Sequence, residues 1–208
     1  MVGVTMTVRT GELRVGTTVE LLVLAARGHT LAAVDLHCGG LTWVTYPPDA
    51  PTAVLRPFDV IRAVAGPEPA ADPSRPDTIA LAATPDVIGR LRGRRAERLL
   101  RPLLHPDEHL LGFAGPAIPF WTLTGDRPSL AVVEPKGPVI VRGDDDGLHC
   151  RFEWRGLSHE LPFTDLRAKV ASAARQHGGI RVDRRLLVAL TPPYLGHCYK
   201  VVAALLPR

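Results

Sequence analysis

The sequence predicts a strand-dominated α+β fold: antiparallel β-meander and hairpin sheets in two tightly packed halves, with one or two short helices. Three observations predict it. Short apolar and β-branched runs recur between Gly, Pro and Asp clusters from Val19 onward, the pattern of strands joined by tight turns. The segment LHCRFEW, Leu148–Trp154, alternates apolar and polar without error, the two-residue period of a half-buried strand. Only Arg94–Leu100 and a stretch over about 165–176 read as helix. The expected organisation is a β-rich N-terminal half over 1–92, a short helical connection over 93–111, and a second half over 112–208. That second half holds the meander, the second helix and a C-terminal hairpin.

In chain order, strands are expected at Val19–Ala26, Leu31–Cys38, Leu41–Tyr46 and Asp59–Ala65. Gly39-Gly40 offers the two positive-φ positions of a tight hairpin turn. That turn would set Cys38 opposite Leu41, Leu36 opposite Trp43 and Val34 opposite Thr45. Ala33, Asp35 and His37 would point the other way, toward water. The segment GPEPAADPSRPD, 66–77, is a surface loop, because proline fixes φ and donates no ladder hydrogen bond. A strand from Thr78 to Ala83 returns to the same sheet. Arg94–Leu100 makes a short helix, ended by the restriction Pro102 places on Arg101. Pro106 suits the first position of another helical turn over His105–Leu111.

The second half reads as a four-strand antiparallel meander: Ser129–Glu134, Pro138–Arg142, Leu148–Trp154 and Leu157–Phe163. A two-residue turn at Arg155-Gly156 pairs Trp154 with Leu157, Phe152 with His159, Cys150 with Leu161 and Leu148 with Phe163. Thr164 or Asp165 then caps the helix over about 165–176. It presents Leu166, Val170 and Ala173 to the sheet. Strands at Arg181–Leu190 and His197–Leu206 close the chain around the loop TPPYLG.

The 208 residues carry 25 basic and 21 acidic side chains, and each half is +2, so there is no acidic or basic tail. Only Lys136, Lys169 and Lys200 are lysines. No apolar run approaches the roughly 18 residues of a membrane span, and the first residues hold no uninterrupted apolar core, so no secretory signal is expected. Three cysteines without a short-range pairing pattern fit free thiols and a cytoplasmic setting. Each follows a histidine. On a strand such neighbours point to opposite faces and do not chelate one ion together, so Cys38 and Cys150 are expected as buried, unreactive core residues. No cofactor is indicated: G-x-G-x-x-G, P-loop, G-x-S-x-G and C-x-x-C are all missing, against dinucleotide, nucleotide-hydrolysing, α/β-hydrolase and thioredoxin-like chemistry.

The leading candidate site is the arginine cluster, with six arginines from Arg90 to Arg101 against Glu97 alone. On a helix Arg94, Arg98 and Arg101 share a face, with Arg95 beside them. They suit an anionic ligand, a nucleic-acid backbone or an acidic protein partner. No aromatic is interleaved to stack bases. His105 and His109 have the i, i+4 spacing of two metal ligands on a helix, with no third ligand in view. The triplet Asp144-Asp145-Asp146 lacks the alternating spacing of a calcium loop and reads as a hydrated hairpin loop. His159 falls on the inward face of its strand, and with neighbouring Glu160 it is the candidate for a His-centred cleft. Phe113, Phe120 and Trp121, in a proline-broken apolar segment, could wall a pocket or meet a partner. The expected function is a non-catalytic binding or regulatory module recognising an anion through its Arg-rich segment. The alternatives are an assembly component using the apolar surface at 112–121 and an enzyme centred on His159.

Overall fold

The computed structural model describes residues 14–125, 127–144, 147–165, 170, 173–174 and 178–208. The chain is strand-dominated α+β, with sheets that are antiparallel throughout except for one pair. The first sheet contains β1 (Thr18–Arg27), β2 (Thr30–Asp35), β3 (Leu41–Thr45), β4 (Asp59–Val64), β5 (Thr78–Ala80) and β6 (Asp86–Arg90), in the order β5-β3-β2-β1-β4-β6. Helix α1 (Arg94–Leu100) follows, then β7 (Ala117–Pro119), β8 (Leu130–Val133), β9 (Val139–Asp144), β10 (Gly147–Trp154), β11 (Leu157–Pro162), β12 (Ile180–Val182), β13 (Arg185–Leu190) and β14 (His197–Leu206). The second sheet is β7-β14-β13-β8 and the third is β11-β10-β9-β12.

These sheets stack with the second in the middle. Every residue of β8 and β13 is buried. Leu186, Val188, Ala131, Val133 and Val202 face the third sheet, packing with Val139, Val141, Leu148, Phe152 and Leu161. Leu187, Ala189, Leu130, Val132 and Leu206 face the first sheet, packing with Leu22, Leu24, Val34 and Trp43. The continuous apolar runs LAVV and RLLVAL suit strands covered on both faces. The outer face of the first sheet is covered too: Leu21, Val23, Leu31, Ala33 and Val44 pack with Tyr46, Leu55 and Leu81.

That layering corrects the expected meander. The strand β8 is not its first member; it pairs with β13 in the middle sheet. The real neighbours are β9, β10 and β11, with β12 added beyond β9. Pro135-Lys136-Gly137 therefore carries the chain between sheets. The expected strand Arg181–Leu190 is likewise two strands, β12 and β13, in different sheets. A strand with no polar face belongs in the middle layer, whereas LHCRFEW belongs at the outside. The β10·β11 register is as expected, with Trp154 opposite Leu157, Phe152 opposite His159 and Cys150 opposite Leu161. Cys150, Phe152 and Trp154 are buried, while Arg151 and Glu153 are exposed.

The β2–β3 hairpin is also corrected. Val34 pairs with Leu41 and Ala32 with Trp43, a slip of four residues from the Gly39-Gly40 register. Asp35 causes it. Its Oδ1 accepts the His37 N–H at 2.8 Å and the Cys38 N–H at 3.3 Å, and its carbonyl accepts the Gly39 N–H. The side chain thus builds a wider turn in which Gly39 has φ 73°. An even slip keeps each residue on its face, but Leu36 to Gly40 leave the ladder, so Cys38 is exposed rather than buried. Ala33 and Asp35 are buried rather than facing water, because residues 46–58 and 79–81 cover that face.

Thr78–Ala80 returns to the sheet as expected, parallel to β3. The His105–Leu111 helical turn does not form; only a 3-10 turn at Leu110–Gly112 is present. The helix expected over about 165–176 lies largely outside the described residues, of which Val170, Ala173 and Ala174 are helical. Asp145 and Asp146 lie outside them as well.

Two outcomes check this arrangement. Phe152→Ala should cost about 3–5 kcal/mol through lost transfer energy plus a cavity, and Glu153→Ala within about 0.5 kcal/mol, in denaturant titrations. Thiol labelling in native buffer should modify Cys38 rapidly and leave Cys150 and Cys198 untouched until denaturant is added. Burial pushes the Cys150 thiol up to about 12 and leaves almost no thiolate at neutral pH.

Candidate functional site: an alanine-lined cleft between two sheets

Where the first and middle sheets face each other, large side chains occupy only one end of the interface. Leu22, Leu24, Val34, Leu130, Leu187 and Leu206 fill that end. Toward the other end the cross-strand row on the first sheet is Ala25, Ala32, Trp43. The facing row on the middle sheet is Ala189 and Val201, with Ala203 two residues further along β14. Alanines opposite alanines cannot span sheets that pack about 10 Å apart. A cleft of about 630 Å³ results, bounded by the β1–β2 turn, Arg75, Thr164-Asp165 and Thr191-Pro192.

Three charged residues line the cleft, Arg27 and Asp165 at its edges and Arg75 beside Trp43. The guanidinium carbon of Arg75 lies 4.0 Å from the centre of the Trp43 ring, a cation–π contact. Its Nε is buried without a hydrogen-bond partner among the described residues. Burial pulls its pKa down, and Asp72 and Asp77 pull it back up. Arginine stays charged through such shifts. Neither acid bonds the guanidinium: Asp72 Oδ1 accepts the Ser74 N–H and O–H, and Asp77 Oδ1 accepts the Ser129 hydroxyl at 2.5 Å.

The loop carrying Arg75 is pinned at its C-terminal end. Trp43 Nε1 donates to Ser129 Oγ at 3.0 Å, Ser129 donates to Asp77, and the Thr42 hydroxyl donates to the Asp77 carbonyl. Thr78 Oγ1 donates to the Arg75 carbonyl at 2.8 Å. The Asp77 carboxyl is pushed above the usual carboxylate range by burial, against the pull of the Ser129 hydrogen bond. The network joins β3, β8 and the proline-rich loop, so it fixes Arg75 against the cleft.

The expected site residues are placed as follows. Arg94 and Arg98 on α1 and Arg101 at the start of the 3-10 turn that continues it do share a face, where with Glu97 and Pro102 they line a shallow depression of about 470 Å³. Arg95 is exposed beside it. His105 and His109 are not brought together as a ligand pair. His109 is extended, at φ −109° and ψ 136°, and its side chain is exposed. His105 is buried and stacked on Trp154; the Leu111 N–H donates to its Nε2 at 3.1 Å. Among the described residues no three His, Cys, Asp or Glu side chains gather as a metal group.

His159 is half-buried and stacks on Phe152 at 5.3 Å, while Glu160 is exposed across from Arg151. Lys200 on β14 lies nearby in the same layer. It is buried, donates to the Phe113 carbonyl at 2.6 Å and sits 4.0 Å from the centre of the Phe113 ring. Burial lowers His105 and His159, and the Lys200 charge lowers both further. Burial also pulls Lys200 down to about 8. Phe113, Phe120 and Trp121 do not share one wall. Phe113 is in the core, Phe120 is partly buried and Trp121 is 71% exposed against His197 and Gly196. Exposed Tyr194 and Leu195 neighbour it in the adjoining turn.

Sequence reasoning missed Arg75 and the alanine rows. Alanine on a strand reads only as core, and Arg75 sits in a loop whose prolines dominate the pattern. A comparison with protein-family models, curated proteins and solved structures finds no match.

The lysine yields a testable outcome. Its native pKa lies near 8, below its ordinary value of 10.5, so between these values the unfolded chain holds a proton that the native state has lost. The lysine's contribution to unfolding free energy should therefore rise as pH increases from about 8 to about 10.5, against the fall that the raised Cys150 thiol contributes above its ordinary value of 9.0. Denaturant titrations across that window should show the stability of the wild type gaining on that of Lys200→Met as pH rises, since the cysteines are common to both. An identical slope in both proteins would place Lys200 in water.

Proposed function

We propose that this protein is a non-catalytic binding module for a small organic anion with an apolar body, taken up in the cleft between the first and middle sheets. One observation carries the reading: an arginine stacked on a tryptophan, unpaired by any carboxylate among the described residues, borders a cavity whose walls are mostly apolar, with Arg27, Asp165 and three threonines also on its lining. Pockets of about 300–1,000 Å³ with apolar walls and a few fixed polar groups suit small ligands. The alanines and Trp43 offer contact to the ligand body, and Arg75 offers a charge-assisted bond to a carboxylate, sulfonate or phosphate head. The hydroxyls of Thr30, Thr164 and Thr191 stand at the rim. This keeps the anion-binding function expected from the sequence and moves its centre from the Arg-rich segment to Arg75.

Anilinonaphthalene sulfonate has the required shape, an aromatic body with one anionic head. Its fluorescence should rise saturably with the native protein. Arg75→Gln should weaken binding about tenfold or more, since a hydrogen bond to a charged group contributes roughly 1.5–3 kcal/mol. Ala189→Leu, which fills the cleft, should abolish it. Dye binding that neither variant changes would remove the cleft from consideration.

A further inference from the structure

We infer that the arginine face of α1 is a second, separate site, a docking surface for the phosphodiester backbone of nucleic acid. The helix is anchored from beneath: Ala96, Leu100 and Leu103 are buried against the first and middle sheets. That anchoring fixes which side faces water. Arg94, Arg95 and Arg98 are exposed, as is Arg101, still helical at φ −57° and ψ −45°. The helical rise sets Arg94 to Arg98 about 6 Å apart and Arg98 to Arg101 about 4.5 Å apart along the axis. Three guanidiniums thus stand in a row over one depression. None of these four arginines makes an ion pair or side-chain hydrogen bond among the described residues, whereas Arg62, Arg90, Arg185 and Arg208 are each engaged by a carboxylate. The segment from Arg90 to Arg101 carries six arginines against one glutamate.

The composition of the face selects the partner. Protein interfaces are built around a buried apolar or aromatic core, and the depression offers only Pro102 beside Arg94, Glu97, Arg98 and Arg101. An amphipathic helix that inserts into a membrane carries a wide apolar face beside its charges, and the depression presents only Pro102, so anionic vesicles enter the test as a competitor held by charge alone. A phosphate backbone needs neither an apolar core nor an apolar face. It is held by charge and by the fork geometry of guanidinium on phosphate. With no aromatic in the segment, recognition is of the backbone and independent of base sequence.

The test is fluorescence anisotropy of labelled single-stranded and duplex DNA with the full chain at salt from about 50 to about 200 mM. Binding should weaken steeply with salt through counterion release. Arg94→Gln, Arg98→Gln and Arg101→Gln combined should weaken it at least about tenfold at the lowest salt, with a shallower salt slope, the variant retaining wild-type melting. A control of equal charge loss, Arg14→Gln, Arg151→Gln and Arg181→Gln, should stay within about threefold of wild type. Four results would overturn the inference: no binding at low salt, an unaffected α1 variant, equal loss in the control, or tighter binding to poly-glutamate or anionic vesicles than to DNA. Arg75→Gln should leave DNA binding unchanged, so the fate of this site is read separately from that of the cleft.

Discussion

Three strands with no polar face constrain the rest of this chain. The segments LAVV and RLLVAL are buried at every residue, and β14 is apolar through most of its length. A sheet built from them is stable only when covered on both sides, since each buried large aliphatic side chain contributes roughly 1.5–3 kcal/mol relative to exposure. The first and third sheets provide that cover. The alternation of β10 follows from its place outside: Cys150, Phe152 and Trp154 pack inward on the middle sheet, and Arg151 and Glu153 meet water. Among the described residues the charged intrusions into this sheet are Arg185, paired with Glu134, and Lys200, held by a carbonyl and an aromatic ring, because a buried charge needs partners.

The same constraint generates the cleft. Two sheets at a fixed separation need side-chain volume to fill the space between them. Leucines supply it at one end of the interface, and the alanine rows Ala25–Ala32 and Ala189–Ala203 withhold it at the other. A collapse that closed the gap would break the leucine packing or the ladder pairing of β13 and β14. The Trp43–Ser129–Asp77 network then spans the strands that bound this interface. It holds the Arg75 loop to the side of the opening. The unpaired cation and the unfilled space meet at Trp43, and the ligand chemistry proposed above rests on that coincidence.

Much of the fold was legible in the sequence, and the failures share a cause. Most strands, the β10·β11 register, the Thr78 strand and the bounds of α1 followed from local pattern, whereas β6, the short proline-flanked β7 and the break between β12 and β13 did not. Nor did sheet membership. A continuous apolar run says that a strand is buried on both faces but not which neighbours cover it, so local pattern alone places β8 beside β9 in the meander. Gly39-Gly40 suggested a turn that the Asp35 carboxylate overrides by bonding the next backbone N–H groups, and Cys38 went with it. The arginine face was visible because a helical period reveals shared faces. The cleft was not, because it is made from the absence of side-chain volume on four strands, and a single sequence does not show which alanines face one another.

The most direct test of the cleft is the response of its alanine methyl groups. In a titration with anilinonaphthalene sulfonate followed by methyl NMR, Ala25, Ala32, Ala189 and Ala203 should shift together and saturate on one binding curve, with Ala131 and Ala204 in the filled core unmoved. Shifts confined to surface methyls, or no saturation, would contradict the account, because the space between the two sheets would then take up no ligand.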